Sequence, residues 1–119
     1  MDLHFDCVFY YVRDLSAAIR FYSDVLGLSL SSKDTIARYD VDGVLFELIP
    51  SSDETGFSGG GNARLCLKVD DIDRASRELR TMGVTVGSIH PVENGQLAPF
   101  QDPDGNELLL WQYSYQRAA

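Results

Sequence analysis

The chain is short of basic residues, cysteine and long apolar runs, and each shortage removes a class of function. Lys and Arg number 10 against 18 Asp and Glu, a net charge of −8. Nucleic-acid binding needs clustered Lys and Arg to neutralise phosphates, so that class is set aside. No stretch of about 18 apolar residues occurs, so no membrane-spanning helix is expected. The opening MDLHFD has neither the basic start nor the apolar core of a secretory leader. The two cysteines, Cys7 and Cys66, cannot build a disulfide framework. These absences together predict a reduced, cytoplasmic protein. The acidic surplus serves solubility and admits a neutral or cationic ligand.

What is present is ordinary globular composition, 45% hydrophobic over 119 residues, enough for one domain over 1–119 with its own core. That domain repeats itself. Val-Arg-Asp-Leu-Ser-Ala-Ala at 12–18 matches Val-Asp-Asp-Ile-Asp-Arg-Ala at 69–75 with an offset of 57 residues. Asp42-Gly43 matches Asp104-Gly105 with an offset of 62, so the second copy carries a longer connection, placed at Gly87–Gln96. Each copy reads as a strand, a helix and three strands.

In the first copy, 4–50, a strand over 5–13 leads to Asp14, which caps a helix. Leu15, Ala18, Ile19, Tyr22 and Leu26 form its apolar stripe and Gly27 ends it. Strands follow near 28–32, 35–41 and 44–49, the last two joined by Asp42-Gly43. In the second copy, 63–113, a strand over 63–69 leads to Asp71 as cap. Ile72, Ala75, Leu79 and Met82 form the stripe and Gly83 the stop. Strands are expected near 84–89, 96–101 and 106–113, with His90-Pro91 in a loop. The Ser/Gly-rich segment 51–62 joins the copies as a linker; it runs into a strand, whereas phosphate loops open a helix.

Alternation along the strands assigns two faces. Val8, Tyr10, Val12, Phe46, Leu48, Leu65, Leu67, Val69, Leu108 and Leu110 should pack under helices. Cys7, Phe9, Tyr11, Leu45, Glu47, Arg64, Cys66, Lys68, Glu107, Leu109 and Trp111 then point the other way, toward a cleft that both copies are expected to line. Aromatic walls with a few ionisable groups suit a small-molecule site.

The stretches YVRDLSAAIRFYSDVLGL, FELIP and QDPDGNELLLWQ resemble the vicinal oxygen chelate superfamily, the glyoxalase, bleomycin-resistance and extradiol-dioxygenase group. The resemblance implies an α+β fold of two βαβββ modules forming an incomplete barrel, commonly in homodimers. In metal-using members four positions supply ligands. They map here to Cys7, Glu47, Arg64 and Leu109. Glu47 matches and Cys7 is chemically possible as a thiolate. A guanidinium has no lone pair to give and a leucine has none at all, so no metal and no cofactor are expected. His4 and His90 fall outside this set and read as surface residues. The Asp-Val-Asp-Gly and Asp-Pro-Asp-Gly stretches read as hairpins rather than calcium loops.

Arg64 and Glu47 are expected either to pair where relatives hold a metal, or to leave Arg64, with Lys68, to receive a ligand anion. The thiols read as small packing residues, with a lowered pKa beside Arg64 as the alternative. The function expected is metal-independent small-molecule binding, similar to bleomycin-resistance-type antibiotic sequestration. Cys7, Phe9, Tyr11, Glu47, Arg64, Lys68, Glu107, Leu109 and Trp111 would line the site for a cationic or aromatic ligand. The alternative is a glyoxalase-like lyase or isomerase, or a dioxygenase-related enzyme, with a degenerate metal site and Glu47 as base.

Overall fold

The structure is a computed structural model that describes residues 1–2, 4–51 and 64–114. The chain is α+β and divides into two compact units, Met1–Gly59 and Gly60–Ala119, each built on one four-stranded mixed sheet. Of the expected linker, 52–62 lies outside the described residues.

The first unit runs β1 (Val8–Val12), α1 (Leu15–Ile19), a π-helical segment (Arg20–Val25), β2 (Ser29–Lys33), β3 (Ala37–Val41) and β4 (Val44–Pro50). Its sheet order is β1-β4-β3-β2, with β1 parallel to β4 and the other pairs antiparallel. Asp14 caps α1 as expected, accepting from the Ala17 amide at 3.1 Å. The helix then widens, and the Leu26 amide reaches back to the Phe21 carbonyl. A wider turn shifts which side chains face inward. Ala18, Phe21 and Tyr22 are buried, while Leu15, Ile19 and Leu26 of the expected stripe are only half-buried. Tyr22 and Phe46 lie 5.1 Å apart, and Tyr39 completes an aromatic core with them. The Tyr39 hydroxyl bonds Ser23 at 2.9 Å, which gives its polar end a partner.

The second unit runs β5 (Leu65–Lys68), α2 (Ile72–Thr81), β6 (His90–Val92), β7 (Gly95–Gln101) and β8 (Glu107–Tyr113), with sheet order β5-β8-β7-β6. Asp71 caps α2 through the Arg74 amide at 3.1 Å. Gly83, at φ +86°, turns the chain left-handed, and the Val84 amide returns to the Leu79 carbonyl. This turn removes Met82 from the helical period. It is 56% exposed, whereas Ser76, one turn from Ile72, is 1% exposed and is buried in place of the expected Ala75, which is only half-buried.

The third-from-last strand is the other correction. Residues 84–89 hold only a bridge from Val86 to Phe100, and β6 forms at 90–92, so His90 and Pro91 are strand residues. The Arg80 guanidinium donates to the carbonyls of Val86 at 3.2 Å and Gly87 at 3.1 Å, which draws 84–87 toward the helix end. Pro91 is tolerated because β6 is an edge strand. The two expected hairpins form. Asp42 and Gly43 both have positive φ, as a two-residue turn requires. At Asp102–Asn106 the Asp102 carboxylate accepts from the amides of Asp104 (2.9 Å) and Asn106 (2.8 Å) and from the Asn106 side chain (2.8 Å).

Candidate functional site

The helices cover one face of each sheet and leave the other open. The covered faces carry the expected apolar residues: Val12, Phe46, Leu48, Leu108 and Leu110 are buried. Val8, Tyr10, Leu65, Leu67 and Val69 are half-buried. The nine candidate residues fall on or beside the open faces, divided between the two units.

On the first open face, parallel pairing sets Phe9 beside Glu47 and Tyr11 beside Ile49. Phe9 and Tyr11 meet edge-to-face with centroids 5.4 Å apart, and Phe9 remains 44% exposed. Glu47 is paired with Arg38, Nε to Oε2 at 3.2 Å, and its side chain is only 16% exposed. Arg38 also reaches Asp34 at 3.4 Å. Cys7 completes the group. Desolvation first, then its hydrogen bond to Glu47 and the negative charges of Glu47 and Asp6, push its thiol above the ordinary value. A thiol that holds its proton is a poor metal ligand. Asp40, also on this face, accepts from the Gly43 amide at 2.7 Å.

On the second open face, parallel pairing of β5 and β8 sets Cys66 beside Leu109 and Lys68 beside Trp111. Arg64 lies one residue before β5 and binds Glu107, Nε to Oε2 at 2.7 Å. Trp111 and Tyr113 meet edge-to-face at 5.4 Å. The Trp111 ring lies across Gly95, where a Cβ would come within 2.9 Å of Cζ2 and collide with the Gln112 carbonyl. The indole N–H is buried, with no hydrogen-bond partner among the described residues. Burial pushes the Cys66 thiol up as well, so the lowered thiol beside Arg64 is not found.

The expected Arg64–Glu47 pair gives way to two pairs within the units, Arg38–Glu47 and Arg64–Glu107. Cross-strand neighbours stand about 5 Å apart at Cβ, so they meet first. Sequence reasoning missed Arg38, although the hairpin contained it. Counting outward from Asp42-Gly43 aligns Val41 with Val44 and, three pairs on, Arg38 with Glu47. Tyr113, two residues beyond Trp111 on β8, falls on the same face by the same alternation, a signal the sequence already carried.

The four positions that the resemblance aligns with metal ligands therefore hold a protonated thiol, an arginine-bound carboxylate, a guanidinium and a hydrocarbon. This set does not fit a divalent cation. Among the described residues no group of three or more His, Cys, Asp or Glu gathers as a ligand set. His4 sits with Asp2 at 3.3 Å on the surface. The Asp102 carboxylate is filled by amide donors, which supports the hairpin reading over calcium.

The family model of the glyoxalase/bleomycin resistance protein/dioxygenase superfamily matches residues 4–110. No curated protein sequence matches the chain. Among solved structures, TnmS3, an antibiotic binding protein from a Streptomyces species, is 25% identical with a TM-score of 0.73, covering 96% of this chain and 100% of its own. FosX, a fosfomycin resistance protein from Listeria monocytogenes, is 13% identical with a TM-score of 0.79, covering 96% of each chain. Lactoylglutathione lyase from Agrobacterium tumefaciens is 20% identical with a TM-score of 0.72, covering 92% of each. The match over nearly the whole length, on two sheets of the expected topology, places this chain in the glyoxalase/bleomycin resistance protein/dioxygenase superfamily.

Proposed function

We propose that the chain is a metal-independent small-molecule-binding protein, similar in role to the antibiotic-sequestering members of its superfamily. The observation that carries this reading is the pairing of Glu47 with Arg38 beside a protonated Cys7. Glu47 is the one strong metal donor among the four aligned positions, and its carboxylate is already neutralised. The same engagement speaks against Glu47 as a general base, which must present a free lone pair to the substrate. Aromatic pairs standing partly exposed on both open faces supply stacking surface for a planar or apolar ligand. The likeness to an antibiotic binding protein supports the same direction. A homodimer in the cytoplasm belongs to this reading, resting on the family resemblance and the low cysteine content.

Trp111 is the sole tryptophan, so its fluorescence reports directly on the second face. Titration with planar aromatic antibiotics should quench it saturably, with affinity unchanged by a chelator. Two results would reject the reading: no quenching by any compound, or a stoichiometric divalent ion in the purified protein that Glu47→Gln removes.

A further inference from the structure

We infer that the second open face takes an aromatic anion, with Lys68 as counter-charge and Trp111 as stacking surface. The inference rests on the binding reading above and specifies the charge of the ligand, which an acidic chain would suggest is positive.

Several charges on the open faces are already satisfied. On the first face Glu47 belongs to Arg38, Asp34 to Arg38 and the Ile36 amide, and Asp40 to the Gly43 amide. On the second face Glu107 belongs to Arg64. These four carboxylates, which would attract a cationic ligand, are thus engaged. Lys68 differs: it is exposed, and among the described residues it takes no ion-pair partner. It stands beside Trp111 in the β5–β8 register, on the same side of the sheet. Trp111 in turn meets Tyr113 edge-to-face and packs across Gly95, contacts that hold the indole against the sheet. A planar ring stacked on the indole would carry a carboxylate, phenolate or sulfonate within reach of the ammonium. With Arg64 paired to Glu107, the Lys68 ammonium beside Trp111 repels a ligand ammonium placed on the indole.

The test uses the full chain and three ring-matched probes: 2-naphthoate, 2-naphthamide and 2-naphthylmethylammonium, each followed by Trp111 quenching. Naphthoate should bind more tightly than the amide by up to about fivefold, the size an exposed ion pair carries, and more tightly still than the ammonium. Added salt should narrow the gap. Lys68→Gln should erase the preference, whereas Lys33→Gln, the same change of net charge in the other unit, should keep it. Equal or tighter binding of the amide or the ammonium overturns the anion assignment and leaves the binding reading intact. So does a preference that survives Lys68→Gln. If none of the probes and no planar antibiotic quenches Trp111, both readings fall.

Discussion

Cys7, Glu47 and Arg38 constrain one another on the first open face. Folding raises the Cys7 pKa above its ordinary value of 9.0, so the thiolate is scarcer than in an unfolded chain. In a Cys66→Ser background, Cys7 should therefore alkylate more slowly with iodoacetamide at neutral pH than a free thiol does. Glu47→Gln, which removes the largest charge against the thiolate, should speed it; an unchanged rate would contradict the contact. Ser76 shows the opposite situation, a buried hydroxyl on the core face of α2 with no hydrogen-bond partner among the described residues. Ser76→Ala removes an unsatisfied group and improves helix propensity, so unfolding in urea should show a gain of about 1 kcal/mol. At this scale the sequence reveals faces better than partners. Alternation separated the candidate residues from the helix-covered faces. It did not show that Glu47 and Arg64 each meet an oppositely charged partner within their own unit, because partner choice depends on register.

The two helices start alike and end differently. Asp14 and Asp71 each accept an amide three residues on, at 3.1 Å in both cases. Asp71→Ala should cost about 1 kcal/mol in thermal or urea unfolding, the usual loss for an N-cap, while Asp71→Asn should cost much less. An equal loss for both would show that the cap is not the cause. Helix existence, caps and stops were legible because Asp and Gly act locally. The π-helical segment was not legible, since apolar residues at 18, 19, 21 and 22 satisfy either period. Nor was β6, whose Pro-containing sequence reads as loop. It forms because Asn94, at φ +70°, turns the chain into β7.

For the whole molecule, the repeat was the most legible feature, because two modules with matching caps and hairpins leave two registered matches in the sequence. A charge of −8 was equally plain, and it describes the whole chain rather than either open face. Much of that charge lies away from the open faces, and within them most carboxylates are paired. Titration at high pH should act on the fold as a whole. Cys7, Cys66 and Tyr39 all hold their protons more tightly when folded, chiefly through desolvation. An acid whose pKa rises on folding contributes stability below its unfolded value and loses it as pH climbs through the folded one. The melting temperature should therefore fall as pH passes 9 and 10, the ordinary thiol and phenol values. Cys7→Ser with Cys66→Ser should blunt the lower part of that fall, and a flat profile would count against it.

The Asp102 turn has a kinetic consequence. Its bonds join residues no more than four apart, so they close without waiting for distant chain segments. Such a knot is available to the folding nucleus, where it sets β7 against β8 before the rest of the second sheet arrives. Asp102→Ala should then slow refolding in a chevron experiment and leave the unfolding limb nearly unmoved; the reverse pattern would mean that the turn closes last.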